Sequence, residues 1–293
     1  PLKQIDEVGG EWFLADAVVD ELSSRLGAFS GLALVGQTSV EAVAGASLTL
    51  PEMAERLGVT HFIEGAVHRS TSAVRLSMRL IEGASGKQIW SDQIIEPETY
   101  FFDQRKLIGE NAVAGLSQAM GLKQNSQLVR TMTSSREAYA LYLQGRTLTK
   151  RVTLQGGLPK AVELLEQALE IDPNFAECWT ALAEAHIHVA VYTPSIERVA
   201  LSEKAASCAR RALELDPNQG YAFAILSIHE WTCFNPAGAL EYAVEAYRLE
   251  PNNADVTLRL GSTLLYLGRT REALPYVEAA IEQDPVYGRN YVM

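Results

Sequence analysis

The sequence lacks three features that would assign it to a membrane, to nucleic acid or to a disulfide scaffold. Although 47% of its residues are hydrophobic, it has no uninterrupted apolar run of the roughly 18 residues that a membrane-spanning helix needs. Its 25 Lys and Arg stand against 36 Asp and Glu, and this net charge of −11 argues against nucleic-acid binding by this segment. Its three cysteines form no CxxC pair, which favours a reducing compartment.

Residues that could support catalysis or metal binding are also scarce. GASGKQ at 83–88 superficially resembles a phosphate loop but has the wrong spacing, so we predict a hairpin turn. His186 and His188 lie two residues apart, which places them on different sides of a helix. Cys178, beside a tryptophan, is typical of packing, and Glu64 within an apolar strand is a weak candidate ligand site. No acid, base and nucleophile combine, so we predict a non-enzymatic chain without cofactor or metal.

The first half of the chain has the pattern of a small α/β domain. Apolar residues at helical spacing predict a helix at 11–28, and LPEMAERLG predicts another that ends at Gly58. Between them, GLALVG at 31–36 is short, apolar and bounded by glycines, so it predicts a buried strand. A closing helix is expected at 101–120.

Three strands are predicted between the second helix and the closing helix. THFIEGAVHR and SAVRLSMRLI flank a Ser-Thr-Ser turn, and the second alternates apolar with polar residues, as in a hairpin with one buried face. GASGKQIWSDQII supplies a turn and a third strand, with Trp90 in the domain core. The predicted order is helix, strand, helix, three strands, helix.

The second half repeats the pattern EAL…A…DP. Its punctuating prolines, Pro173, Pro217, Pro251 and Pro285, are separated by 44, 34 and 34 residues. Counting back from each proline, alanines recur at two positions where the helices of a repeat would touch: Ala161 and Ala168, Ala205 and Ala212, Ala239 and Ala246, Ala273 and Ala280. A period of 34 with these small residues resembles the tetratricopeptide repeat, which implies an all-α superhelix of paired helices. The extra ten residues of the second unit, VYTPSIERVA, are expected to form a loop.

Tetratricopeptide stacks usually hold other proteins on the face lined by their first helices. In that family this face takes residues two, five, nine and twelve of each unit, which share one side of a helix. The residues that the resemblance assigns to a partner-binding groove are Glu177, Thr180, Glu184 and Ile187, then Tyr221, Ala224, Ile228 and Trp231, then Asp255, Leu258, Ser262 and Leu265. A groove for an apolar or amphipathic segment and coverage by further repeats are equally compatible with this set.

Five segments of the chain resemble one family along most of its length. They are EWFLADAVVDEL, LALVGQTS, MAERLGVTHFIEGAVHR, VRLSMRLIEGASGKQIWSD and AYALYLQGR. Together they are similar to the TolB amino-terminal-like domain that precedes tetratricopeptide repeats in CadC-like winged-helix regulators and in class III adenylate cyclases. The family's first strand would be reduced here to Pro1 and Leu2. The predicted organisation is a TolB-like domain at 1–122, a linker at 123–135 and about four repeats at 136–293, the array being cut or continuing after Pro285.

The resemblance implies the sensory and protein-interaction region of a bacterial transcriptional regulator, whose DNA-binding domain precedes this piece. The alternative is the regulatory region of a class III adenylate or guanylate cyclase. Either implies a protein or peptide in the groove, and a homodimer is compatible with both. We expect a cytoplasmic location, or a periplasmic one if a transmembrane helix precedes Pro1.

Overall fold

The computed structural model describes residues 2–6, 14–26, 29, 32–44, 46–97, 109, 111–122, 133–150, 157–192 and 195–285. The chain divides into two compact units, one of residues Pro1–Arg130 with Ile281–Val292 and the other of residues Thr131–Ala280 with Met293. The predicted linker lies outside the described residues except for 133–135, as does the chain after Pro285.

The first unit contains a small mixed sheet with helices. Its elements are β1 (Leu2–Asp6), α1 (Leu14–Leu26), α2 (Gln37–Ala44), α3 (Leu50–Leu57), β2 (His61–Arg69), β3 (Ala73–Glu82), β4 (Gln88–Pro97) and α4 (111–119). The sheet order is β1-β2-β3-β4, with β1 parallel to β2 and the other two pairs antiparallel. The predicted hairpin of β2 and β3 and the third strand β4 are therefore confirmed.

One face of this sheet forms the core of the first unit. The alternation predicted in β3 is observed, with Val74, Leu76, Met78 and Leu80 all at most 2% exposed. They pack with apolar side chains of α1 and α4, and Trp90 of β4 packs against the same cluster, as predicted. The turn between β3 and β4 contains a glycine with φ of +69° instead of a phosphate loop.

Two predictions for the first unit were wrong. The predicted strand at 31–36 is irregular over its described residues, 32–36, and Leu32 and Leu34 pack against the core from that irregular segment. Its apolarity reflects the partial burial of Leu32 and Leu34 rather than strand pairing, because the sheet position beside β2 is occupied by β1. The first strand is also not reduced to two residues, since β1 runs over five. The helix α2, at 37–44, was not predicted.

The second unit is an all-α array of helix pairs. Its helices are α5 (Arg136–Lys150), α6 (Gly157–Ile171), α7 (Ala176–Tyr192), α8 (Ser195–Leu215), α9 (Gly220–Thr232), α10 (Pro236–Leu249), α11 (Ala254–Tyr266) and α12 (Thr270–Gln283). They form four successive pairs, and each of the four prolines follows the second helix of its pair. The fold class predicted from the sequence, a small α/β domain followed by a tetratricopeptide-repeat superhelix, is confirmed.

Small side chains explain how the helices of each pair approach one another. All eight alanines that recur along the array are completely buried. In the first pair, Gly145 lies so close to α6 that a Cβ atom there would come within 2.7 Å of Leu165 Cγ. Short side chains at these contacts allow the two helix backbones to pack closely.

The loop expected in the second repeat is not observed among its described residues. α7 has 17 residues and α8 has 21, whereas α9 and α11 have 13 each and α10 and α12 have 14 each. The extra residues therefore lengthen both helices of this pair. The described residues of VYTPSIERVA, 191–192 and 195–200, are helical, because its alanine, valine and charged residues continue a helix.

Candidate partner-binding groove

The predicted groove residues lie along the first helices of pairs two, three and four, α7, α9 and α11. We call the surface that they form the repeat groove. Six of the twelve named residues are buried, namely Glu177, Thr180, Ile187, Ala224, Leu258 and Ser262. The half-buried residues are Glu184, Tyr221, Ile228, Trp231, Asp255 and Leu265. Those six supply the groove surface that a partner could contact.

Hydrogen bonds join the repeat groove between the second and third pairs. The Tyr221 hydroxyl donates to Glu184 Oε1 at 3.2 Å. Nearby, Thr180 Oγ1 lies 3.4 Å from Gln219 Oε1, at the start of α9. The sequence pattern named three of these four residues, and Gln219 is the one that it missed. These contacts set the spacing of α7 and α9 along the groove.

Between the third and fourth pairs the groove ends in two stacked aromatic rings. The rings of Trp231 and Tyr266 have centroids 5.1 Å apart and planes inclined by 32°. Trp231 is half-buried, while Tyr266 is 56% exposed. A tilted aromatic pair at this separation is favourable, and the exposure of Tyr266 leaves ring surface available for a further contact. Tyr266 was not among the predicted residues; an exposed tyrosine directly after position twelve of α11 is the sequence signal that could have identified it.

The fourth pair contributes to the repeat groove the apolar side chain of Leu265 and the capped N-terminus of α11. Leu265 packs beside the cluster formed by Ala243, Leu260 and Leu264. The backbone N–H of Asp255 donates to the Oδ1 of Asn253, the N-cap of α11, at 3.1 Å. The Ser262 hydroxyl donates to a backbone carbonyl of its own helix. Asp255 and Leu265 thus lie near opposite ends of α11.

The repeat groove is acidic where it is charged. Glu177, Glu184 and Asp255 are its ionisable acids, and no Lys or Arg occupies any of its twelve positions. An acidic and apolar surface favours a partner segment that combines basic with apolar side chains. The same charge distribution disfavours an acidic peptide.

The thiols do not provide a nucleophile. Burial, reinforced by the Glu177 carboxylate, raises the pKa of the Cys178 thiol well above its ordinary value. Burial likewise raises the pKa of Cys208 to about 11. Partial burial and the nearby Glu230 carboxylate raise the pKa of the exposed Cys233 thiol. Because the thiolate is the reactive form, all three are poor nucleophiles at neutral pH.

One chain of polar groups was missed by the sequence analysis. Ser202 Oγ lies 3.0 Å from His229 Nδ1, and His229 Nε2 lies 3.1 Å from Glu203 Oε2. This order of groups matches a serine nucleophile, a base and an orienting acid. However, Ser202 is completely buried, and its hydroxyl also lies 2.9 Å from the Val199 carbonyl. No substrate reaches it, so we interpret the arrangement as a polar tie between α8 and α9.

Among the described residues, no group of three or more His, Cys, Asp or Glu side chains is arranged to hold a metal ion. Burial lowers the pKa of His186, which keeps this imidazole neutral at pH 7. Glu64, the weak ligand candidate, accepts hydrogen bonds from Arg79 on the neighbouring strand, the shorter at 2.8 Å. None of the described helices combines the length and apolarity needed to cross a membrane.

Comparison with known proteins identifies the repeat. The tetratricopeptide repeat family model matches residues 254–287, which contain α11 and α12. The chain is 24% identical over 171 residues to the putative adenylate cyclase 3 of Rhizobium meliloti, and 28% identical over 169 residues to the transcriptional regulator HilA of Salmonella typhimurium. These matches cover 58% and 56% of this chain but only 29% of each relative.

Solved structures with a similar fold are tetratricopeptide repeat proteins. A thermophilic repeat protein of Thermus thermophilus is 19% identical, covers 66% of this chain and 92% of its own, and has a TM-score of 0.46. The first repeat domain of Spaghetti (RPAP3) bound to an HSP90 peptide is 20% identical, covers 47% of this chain and 99% of its own, and has a TM-score of 0.37. The family model therefore places a tetratricopeptide repeat at residues 254–287 of this chain.

Proposed function

We propose that this chain is the sensory and protein-interaction region of a bacterial transcriptional regulator, and that it binds a protein or peptide partner through the repeat groove. The observation that carries the proposal is the stacked pair of Trp231 and Tyr266 at the groove's edge, half-buried and 56% exposed respectively. Large aromatic side chains with low side-chain entropy are the residues that most often dominate binding energy at protein interfaces.

The regulator assignment is supported by two further features. The chain resembles the TolB amino-terminal-like region that precedes such repeats, and it is similar to a curated transcriptional regulator over 56% of its length. Its net charge of −11 agrees with DNA contact by a separate basic domain rather than by this segment. In this proposal a partner in the repeat groove changes the dimerisation of that domain or its access to DNA.

The alternative is the regulatory region of a class III adenylate or guanylate cyclase. It is favoured by the similarity to the putative adenylate cyclase, which covers 58% of this chain. The two proposals differ in what precedes residue 1. A basic winged-helix domain encoded upstream would support the regulator, whereas a domain with metal-binding aspartates would support the cyclase.

Partner binding is tested by photo-crosslinking in the native cell. A photoreactive phenylalanine analogue in place of Tyr266 should give an adduct with the partner. The same analogue in place of Leu274, which is 54% exposed on α12, serves as the control and should give none. Equal adducts at both positions, or none at either, would refute binding through the groove.

A second measurement separates binding from folding. Trp231→Ala should weaken partner binding by at least about 2 kcal/mol, or about thirtyfold, as expected for a hot-spot residue. Tyr266→Leu on the other ring should have a similar effect. Comparable losses of thermal stability and of binding in Trp231→Ala would instead show that this side chain is part of the core.

A further inference from the structure

Phe234, in the turn between α9 and α10, has an unusual backbone conformation. Its φ is +60°, and it is the one non-glycine residue with positive φ among those that the structure describes. The equivalent position of the next pair is Gly268, whose φ is +74°. A bulky side chain is therefore held in a left-handed conformation that the following repeat assigns to glycine.

The Phe234 side chain is barely packed within its own chain, so its packing does not offset this strain. It is 92% exposed, the highest value among the exposed large hydrophobic residues of the described chain. Strained backbone that is retained without an internal benefit points to a function in contact with another molecule.

A shallow apolar recess lies on the same helix pair. It has a volume of about 570 Å³ and is lined by Phe223 of α9 and by Ala237, Leu240, Glu241, Tyr242, Val244 and Glu245 of α10. Val244 within it is 50% exposed. We call this surface the α10 recess. Both the projecting ring and the recess belong to a single helix pair, which is the arrangement that a two-fold interface requires.

The spacing along α10 fits such an interface. Phe234 precedes the helix by two residues, and Val244 lies ten residues after Phe234, about 15 Å along the helix at 1.5 Å per residue. A two-fold axis midway between them, perpendicular to α10, would place each Phe234 against the partner's Val244. Ala237 and Glu241 lie two residues on either side of the midpoint at residue 239, so Ala237 of one copy would face Glu241 of the other. The small alanine side chain allows close approach of the two helices there.

The charges at the two ends of α10 are complementary in this arrangement. Glu230 lies just before the turn that carries Phe234 and accepts a hydrogen bond from Asn235 Nδ2 at 2.7 Å. Arg248 lies in the last turn of α10, where it pairs with Glu245 of its own helix at 2.6 Å, and its side chain is 63% exposed, so further guanidinium N–H groups face solvent. Antiparallel packing would bring the Glu230 end of one copy to the Arg248 end of the other. Each copy also has a net charge of −11, but repulsion between distant charges is largely screened at physiological salt, where the Debye length is about 8 Å.

We propose that this chain associates with a second copy as a two-fold dimer in which Phe234 of each copy fills the α10 recess of the other. This interface is separate from partner binding by the repeat groove. A result that refutes the dimer therefore leaves the proposal of partner binding unaffected, and the reverse also holds.

The test is the oligomeric state of the full chain, measured by analytical ultracentrifugation from low to high micromolar concentration at physiological salt. Phe234→Ala removes the ring but leaves the backbone conformation, and Val244→Glu places a charge in the recess. Val199→Glu is the matched control, since Val199 is 46% exposed on α8 outside the recess. Because each substitution occurs twice in a dimer, the first two should raise the dissociation constant by about a hundredfold or more.

The expected result is a concentration-dependent dimer for the wild type and for Val199→Glu, and a monomer for Phe234→Ala and Val244→Glu. Unchanged thermal unfolding of the monomeric variants would show that they are folded. A wild-type chain that stays monomeric throughout, or dimers that persist in both recess variants, would overturn the proposal.

Discussion

Replacing Phe234 with glycine should stabilise the chain. The left-handed conformation costs a non-glycine residue about 1–2 kcal/mol, and glycine removes that cost. Glycine also gives the unfolded chain more freedom, which opposes folding by about 0.5–1 kcal/mol. Because Phe234 is 92% exposed, almost no packing is lost. The balance is a gain of about 0.75 kcal/mol, within limits of about 0–1.5 kcal/mol.

Two further substitutions isolate the backbone as the cause. Phe234→Ala retains the strain and should leave stability nearly unchanged. Gly268→Ala introduces the strain where φ is +74°, and a Cβ atom there would meet nothing within 4 Å. It should therefore destabilise the chain by about 1 kcal/mol through backbone strain alone.

The assay is thermal unfolding followed by helical circular dichroism, at a concentration low enough to keep the chain monomeric. A gain of 1 kcal/mol raises the midpoint by roughly 2–4 °C for domains of 150–250 residues, so Phe234→Gly should raise it by about 1–4 °C. A midpoint for Phe234→Gly at or below that of Phe234→Ala would refute the strain argument. If the proposed dimer is also correct, Phe234→Gly will be the more stable protein and the weaker dimer.

Three more outcomes are expected. A thiol reagent at neutral pH should modify Cys233 alone in the folded chain, and the reaction should be slow because the pKa of this thiol is raised. Modification of Cys178 or Cys208 before unfolding would contradict their burial. Gly145→Ala should destabilise the chain by about 1 kcal/mol, because the new Cβ would lie 2.7 Å from Leu165 Cγ and this overpacking costs more than the gain in helix propensity. A higher unfolding midpoint would contradict this. The backbone N–H and hydroxyl of Thr49 donate to the Glu52 carboxylate and lower its pKa from the ordinary 4.5. The stabilisation by this carboxylate is therefore present above pH 4.5 and is lost as the pH falls through the lowered pKa. Glu52→Gln should reduce the dependence of the unfolding midpoint on acid pH, and an unchanged pH profile would count against this.

The repeat array could be predicted because its signals are local and recur. Each proline marks the end of a second helix, and each pair of alanines marks the contact between the two helices of a repeat. Four copies of this pattern support the same interpretation. The segment at 31–36 shows the opposite case. Its glycine-bounded apolar run fits either a strand or a buried irregular segment, and only the pairing of β1 with β2 decides between them.

The family pattern assigned residues to the candidate groove but gave no contacts between them. It named Trp231 on α9 but not Tyr266, whose ring packs against Trp231 from the next pair, one residue beyond the predicted row. The polar tie through His229 joins residues that are 27 positions apart in the sequence. The φ of Phe234 has no sequence signal except its alignment with a glycine in the following repeat.

The lengthened second pair also suggests how this array tolerates insertions. α7 is four residues longer than the other groove helices, and α8 is seven longer than the second helices of the following pairs. At 3.6 residues per turn these additions are close to one and two whole turns. Whole turns preserve the phase of the apolar face, so both ends of each helix present the same side to their neighbours. Insertions in this region would thus be accepted in multiples of a turn, and an insertion of two residues would rotate half of α8 out of its packing.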